Sequence, residues 1–441
     1  MKKLFLAALI FTGLLFSSVA HAALATYTGS FLTSTSTGNQ AITGVGFTPK
    51  IVMFYGGAKA DSQGAYNSMR VGLGVATSSS AQWAQSVQYN WTATAAASQS
   101  ARSLSTTKCF SYVTATGTTT YTTTLDAAFV SQDADGFTVN ITTTDGTARR
   151  IFFVAIGGSD LSANVGTFNT GTSTGNVAVT GVGFQPDIIF IVSSISATSD
   201  GSASNGTFSF GAAKSSSSRF VSNWLTSSGV NPSLVKSYQI GTKVVGRMNT
   251  TSVISMDMDL VSQDSDGFTL NHTTADGTNR KMGYFALQGI QSKIGSTLQK
   301  TTVGTTAVTG VGFTPKLLIM SSVNNTSTTS ASGGGGLIIG TATSTTQRNV
   351  AGNDVRDGSS GNFSQGKTSE ALVMGHYTGT STTADSTHPT VSGEADLASF
   401  DADGFTLNWT STDGVARESY YVAIGQSDVA PGGTTGTMYL F

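Results

Sequence analysis

Two arrangements of apolar residues recur along the chain. The first is a continuous run: Ile51-Val52-Met53-Phe54, then Ile188-Ile189-Phe190-Ile191, then Leu317-Leu318-Ile319-Met320. Four successive apolar residues after a proline and before small polar residues predict a short strand buried on both faces. The second is alternation. Phe137, Val139 and Ile141 share one face of a segment, while Thr138, Asn140 and Thr142 share the other. Phe268, Leu270, His272 and Phe405, Leu407, Trp409 repeat it. Period two predicts a strand with one core face and one face toward solvent or a neighbour, as in an antiparallel sandwich. No segment predicts a helix of ordinary length.

Turn residues punctuate these runs at fixed places. A short opening strand is marked by Gly29, Gly166 and Gly295. G-V-G-F-x-P precedes each continuous run, and Pro49, Pro186 and Pro315 sit at one equivalent position. Asp135-Gly136, Asp266-Gly267 and Asp403-Gly404 read as hairpin turns. Each is followed ten residues later by a second pair, at Asp145-Gly146, Asp276-Gly277 and Asp413-Gly414. Together they predict a three-stranded meander whose third strand begins at Arg150. The two blocks flank a divergent middle, Gly56 to Thr124 in the first copy, where ligand specificity is expected to reside.

The period near 130 residues is that of a whole small domain. The expected organisation is a signal peptide over 1–22 and three repeats over 23–160, 161–291 and 292–427, with a tail over 428–441. Linkers are expected at Ser159 to Val165 and Gln288 to Ile294. The expected fold is all-β: three tandem antiparallel β-sandwich domains, jelly-roll-like. The tail is read as a docking strand or a frayed terminus. Linkers this short force neighbouring repeats to touch, either as a compact intramolecular pseudo-trimer or as a linear string.

Met1-Lys2-Lys3, an apolar run from Leu4 to Phe16 and Ala20-His21-Ala22 form an export signal with an A-x-A cleavage pattern. The run is too short to span a bilayer, so no membrane span is expected after cleavage. The chain is read as exported and bacterial, either extracellular, on the cell surface or periplasmic. Cys109 is the only cysteine, which removes any intramolecular disulfide and reads as a small buried residue. Charged residues are 11% of the chain and the formal net charge is -1, which argues against a nucleic-acid partner.

Candidate chemistry is sparse. Asp133/Asp135, Asp264/Asp266 and Asp401/Asp403 place oxygen ligands at i and i+2 in a turn, as calcium loops do; the later acids of a full loop are missing, and a hairpin closed by Asx hydrogen bonds is the favoured account. No other cofactor is indicated. Asp126, Asp257 and Glu394 are expected to meet Arg149, Arg280 and Arg417 in cross-strand ion pairs, with an acid–base dyad as the alternative. Trp83, Tyr89 and Trp91, with Trp224 as their counterpart in the second repeat, are the candidates for stacking on a sugar ring. Core packing is the competing account of them. His272, His376 and His388 show no metal-ligand spacing.

The G-x-G-F-x-P and D-x-D-G-F-T-x-N motifs resemble those of β-rich domains in bacteriophage tail-fibre and other virion-associated proteins, and in exported bacterial proteins. The resemblance spans nearly all of the chain after residue 22. It implies a β fold and a role in surface recognition or assembly, and assigns no catalytic residue. The expected function is a non-catalytic, adhesin-like protein binding a glycan or cell-envelope polymer. The alternatives are a self-associating structural protein and a polysaccharide hydrolase using paired carboxylates.

Overall fold

The computed structural model describes residues 24–57, 64–67, 69–90, 97–194, 200–324, 326, 332–358, 364–378 and 390–427. The signal peptide, Trp91, His388 and the C-terminal tail lie outside the described residues. Among the described residues every regular element is a β-strand, eleven per repeat.

The first repeat contributes β1 (Ala25–Leu32), β2 (Gly38–Thr43), β3 (Ile51–Gly56), β4 (Gly64–Asn67), β5 (Met69–Ala76), β6 (Gln82–Asn90), β7 (Gln99–Ser105), β8 (Phe110–Ala115), β9 (Tyr121–Asp133), β10 (Gly136–Thr144) and β11 (Arg150–Gly157). The second continues with β12 (Ser162–Asn169), β13 (Gly175–Thr180), β14 (Ile188–Ser193), β15 (Gly201–Ser204), β16 (Gly206–Ser215), β17 (Ser218–Thr226), β18 (Val235–Ile240), β19 (Val245–Met248), β20 (Ile254–Asp264), β21 (Gly267–Thr274) and β22 (Lys281–Gln288). The third runs through β23 (Ile290–Leu298), β24 (Gly304–Val308), β25 (Leu317–Ser322), β26 (Ser332–Gly333), β27 (Ile338–Ala342), β28 (Arg348–Val355), β29 (Ser364–Ser369), β30 (Met374–Thr378), β31 (Thr390–Asp401), β32 (Gly404–Thr412) and β33 (Glu418–Gln426).

The strands form six antiparallel sheets, a seven-stranded and a four-stranded one per repeat, giving three sandwich-like domains. In the first, the small sheet is β2-β10-β9-β8 and the large one is β1-β11-β3-β5-β6-β7-β15. The last strand of that large sheet comes from the second repeat. β26 of the third repeat completes the large sheet of the second, and β4 of the first completes that of the third. Each repeat lends a strand to the one before it, and the first lends to the third, so the exchange closes on itself.

This arrangement explains the continuous apolar runs. Along β3, Val52 and Phe54 pack toward the small sheet, while Ile51, Met53 and Tyr55 enter a core shared by all three repeats. β14 and β25 divide the same way, with Ile188, Phe190, Leu317 and Ile319 in the shared core. A strand between two cores has no polar face to show.

Two expectations are corrected. The meander does not form: β9 and β10 pair, but β10 takes β2 on its other side, while β11 crosses to the large sheet between β1 and β3. Asp145-Gly146 is therefore a corner between sheets rather than a hairpin. The linkers are shorter than expected, because β12 begins at Ser162 and β23 at Ile290, leaving only Gly289 between the second and third repeats. The strands of the middles, β5 to β7 and their equivalents, line the shared core and the seams between repeats.

At the seams, equivalent positions carry side chains of different size. Trp83, Phe220 and Asn349 occupy one equivalent position, each paired across strands with the residue eight before it (Val75, Ala212, Thr341). Phe152, Gly283 and Tyr420 occupy a second. Trp83 lies against Gly283, where an added Cβ would stand 2.7 Å from the indole. Phe220 stacks on Tyr420 with centroids 5.0 Å apart. At the remaining seam, Tyr55 packs on Phe152 and donates to the backbone oxygen of Asn349 at 3.2 Å. Val192 and Ser321 hold the position of Tyr55 in the other repeats, so each seam is filled by a different set of large side chains.

Replacing Gly283 with Ala should therefore lower the denaturant midpoint, by about 1–3 kcal/mol of overpacking. Trp83→Phe in the same chain should recover part of the loss. An unchanged midpoint in the single variant would show that the indole is not seated on Gly283.

Candidate functional site

The aspartates of the D-x-D-G turns act within the fold. Asp135 accepts the Gly44 and Gly46 N–H groups at 3.0 and 2.6 Å. Asp266 accepts Gly181 and Gly183 at 3.0 and 2.7 Å, and Asp403 accepts Gly310 and Gly312 at 2.9 and 2.6 Å. Both glycines of each G-V-G turn have positive φ, which aims their N–H groups at one carboxylate. The amides hold all three carboxyls below the usual range. Gly136 of the turn has φ of 144°, and a Cβ there would stand 2.0 Å from the Ile42 oxygen. The partners Asp133, Asp264 and Asp401 each accept one Ser and one Thr hydroxyl, at 2.7 to 2.8 Å. Both oxygens of every one of these carboxylates are thus engaged by protein donors. No group of three or more His, Cys, Asp or Glu gathers among the described residues.

The expected pairing of Arg149, Arg280 and Arg417 with the strand acids is corrected. Each Arg bridges the Asp four residues before it. Arg280–Asp276 and Arg417–Asp413 are 2.7 Å apart, and Arg149 pairs with Asp145. The cause is topological: the chain turns out of the small sheet at this corner, away from β9. Of the strand acids, Asp257 lies 3.7 Å from Lys243 and Glu394 pairs with Lys367. Burial raises the Asp126 carboxyl, which Ser111 and Lys108 partly offset.

The aromatic candidates are core residues. Trp83, Tyr89 and Trp224 are buried to 1% exposure or less in the shared core. The indole N–H of Trp83 donates to Tyr284 O across the first seam, and that of Trp224 donates to Gly335 O across the second, both at 3.0 Å. No ring face is left for a sugar. The positional counterpart of Trp83 is Phe220, not Trp224; Trp83, Val87 and Tyr89 share the inward face of β6, as the packing account expected.

A polar cluster was not legible in the sequence. His376 is fully buried under the third small sheet, stacked on Trp409 at 5.9 Å. Its Nδ1 meets Gln299 Oε1 at 2.6 Å, and its Nε2 meets Ser419 Oγ at 3.2 Å. Gln299 donates its own amide to Ser392 O, so its oxygen accepts and Nδ1 carries the proton. The hydroxyl–imidazole contact has the form of an activated nucleophile, but Ser419 and His376 are both 0% exposed. Isoleucine and methionine (Ile151 and Met282) stand at the position of Ser419, so no repeated motif announces the cluster. His272 is likewise buried, facing Thr170 O at 3.2 Å.

Open concave surface lies at the seams, at the end that carries the G-V-G-F turns. A cleft of about 500 Å³ runs between the second and third repeats, along the edge strand β23. Its lining includes Lys214, Gln263, Ser292, Lys293 and Phe313. A cleft of about 440 Å³ lies between the third and first repeats along β1, with Thr26, Tyr27, Phe47, Lys316 and Gln347. Thr26, Tyr27 and Phe47 are the positional equivalents of Ser292, Lys293 and Phe313, so the clefts are two versions of one site. Among the described residues, Asp187 is the only acid lining either cleft.

Fold and site together define a three-domain β protein whose concave surfaces sit between repeats. No family model matches the chain, and no curated protein matches it.

Two measurements follow. If the turn aspartates are clamps, adding or chelating calcium should leave the melting temperature unchanged, while Asp135→Asn should lower it; a calcium-dependent rise would make the turns a metal site. His376 is held neutral by burial, reinforced by Arg417, which lowers its pKa to about 3. The unfolded chain takes up that proton near the ordinary value, about 6.5. The contribution of the neutral ring is therefore whole above 6.5 and falls as pH drops toward 3, at about 1.4 kcal/mol per unit. The slope of stability against pH in this window should shrink in His376→Gln, and an equal slope would remove the assignment.

Proposed function

We propose that this chain is an exported, non-catalytic binding protein that recognises a glycan or cell-envelope polymer in the clefts at its seams. The observation that carries this reading is the recurrence of one cleft at two seams, lined by hydroxyl, amide and aromatic groups. Such linings suit polyhydroxylated ligands, whose hydroxyls need paired donors and acceptors and whose ring faces are apolar. A low-charge surface fits a ligand recognised by hydrogen bonding more than by charge.

The edge strands argue against sheet-to-sheet self-association as the main role. Lys214 Nζ donates to Ser292 O of β23 at 2.7 Å, and Thr28 N of β1 donates to Thr343 Oγ1 at 3.1 Å. Side chains of the preceding repeat thus occupy backbone positions that another chain would need. The hydrolase reading requires two carboxylates facing across a cleft, and Asp187 has no such partner in the clefts described.

The test is a glycan array probed with the chain from residue 23, alongside Gln347→Ala. Retention of a defined polysaccharide class by a monomeric protein, weakened several-fold by the variant, is the expected result. Shortened oligosaccharide products would reveal an enzyme, and concentration-dependent oligomers without glycan retention would favour the structural role.

A further inference from the structure

We infer that the cleft between the second and third repeats binds the carboxylate of an acidic sugar residue, a uronic acid; this rests on the glycan-binding reading above. The argument comes from comparing equivalent positions, because the repeats serve as controls for one another.

In the first repeat, the Gln132 amide donates to Lys50 O and Thr77 O, at 3.0 and 2.8 Å. Its equivalent in the second repeat is Gln263, whose Nε2 is buried in the cleft lining with no partner. The Thr26 hydroxyl donates to Lys316 O at 2.7 Å. Its equivalent Ser292 is 2% exposed and its Oγ has no partner. Tyr27 is replaced by Lys293, an exposed ammonium that makes no ion pair or hydrogen bond among the described residues. Three donor groups satisfied or absent elsewhere are therefore unspent in one cleft.

Part of the acceptor capacity nearby is already used. Asp187 Oδ2 accepts Gly289 N and Ile290 N at 2.7 and 3.1 Å, closing the crossing from the second repeat to the third. Asp403, which feels the charge of Lys293, has both oxygens on Gly310 and Gly312. A cleft with an unpaired ammonium and two unspent donor groups favours a ligand rich in acceptors. Its lining carries Lys214 and Lys293 against Asp187, an excess of one positive charge. That excess matches a monoanion better than a phosphate dianion. Lys214 is anchored on Ser292 O, leaving Lys293 as the adjustable partner for the carboxylate.

The test is calorimetric titration of the chain from residue 23 with trigalacturonate and, separately, with its methyl ester. The acid form should bind at least tenfold more tightly. Lys293→Gln should abolish that preference; because Lys293 is exposed, the variant should fold. Ser292→Ala should weaken the acid form several-fold with an unchanged melting temperature. Equal affinity for acid and ester, or an unaffected preference in Lys293→Gln, would overturn the inference. Binding of neutral oligosaccharides on the array without trigalacturonate binding would overturn it while leaving the general reading in place. Failure of both classes would remove both.

Discussion

The two-sided burial of the large sheets is the constraint from which the rest follows. A sheet with one apolar face can stop at a sandwich. Here β3, β14 and β25 are apolar on both faces, so the second face must be covered by other repeats. The three large sheets cover one another around a common core. A single repeat would leave its inner face in water, at roughly 25 cal/mol for each Å² of apolar surface exposed. The lent strands β4, β15 and β26 add backbone hydrogen bonds to each contact and join the first repeat to the third.

A ring of similar units in one chain must also fix which seam is which. The changing position of bulk does this. An indole fills the space over Gly283, two rings stack at Phe220 and Tyr420, and Tyr55 compensates for a small Asn349. Exchanging neighbours would set Trp83 against Tyr420 or Phe152, and the close packing of interiors does not absorb such a change. Part of the divergence of the middles thus has a packing cause.

Charge in this chain is used mainly to close turns and corners. Asp135, Asp266 and Asp403 collect glycine amides, and Arg149, Arg280 and Arg417 tie the corners where the chain leaves the small sheet. Because the same roles recur three times, a departure stands out. Gln263, Ser292 and Lys293 depart together at one seam, and this coincidence, more than cleft volume, directs attention there.

Local physics was legible in the sequence. Periodicity of two marked β10, β21 and β32, continuous apolar runs marked strands covered on both sides, and G-V-G-F and D-G marked turns, because each depends on neighbours within a few residues. The all-β, three-domain organisation follows from those signals and their period. What covers the second face of Ile51, Met53 and Tyr55 depends on residues hundreds of positions away. The sequence therefore left open whether Trp83 stacks on a sugar or on Gly283, and whether Arg149 reaches Asp126 or Asp145. The crossing of β11 to the large sheet, the lent strands and the clefts arise from packing between repeats. Only the tertiary structure decided them, because burial of a side chain is a property of what surrounds it, and those surroundings come from a different repeat.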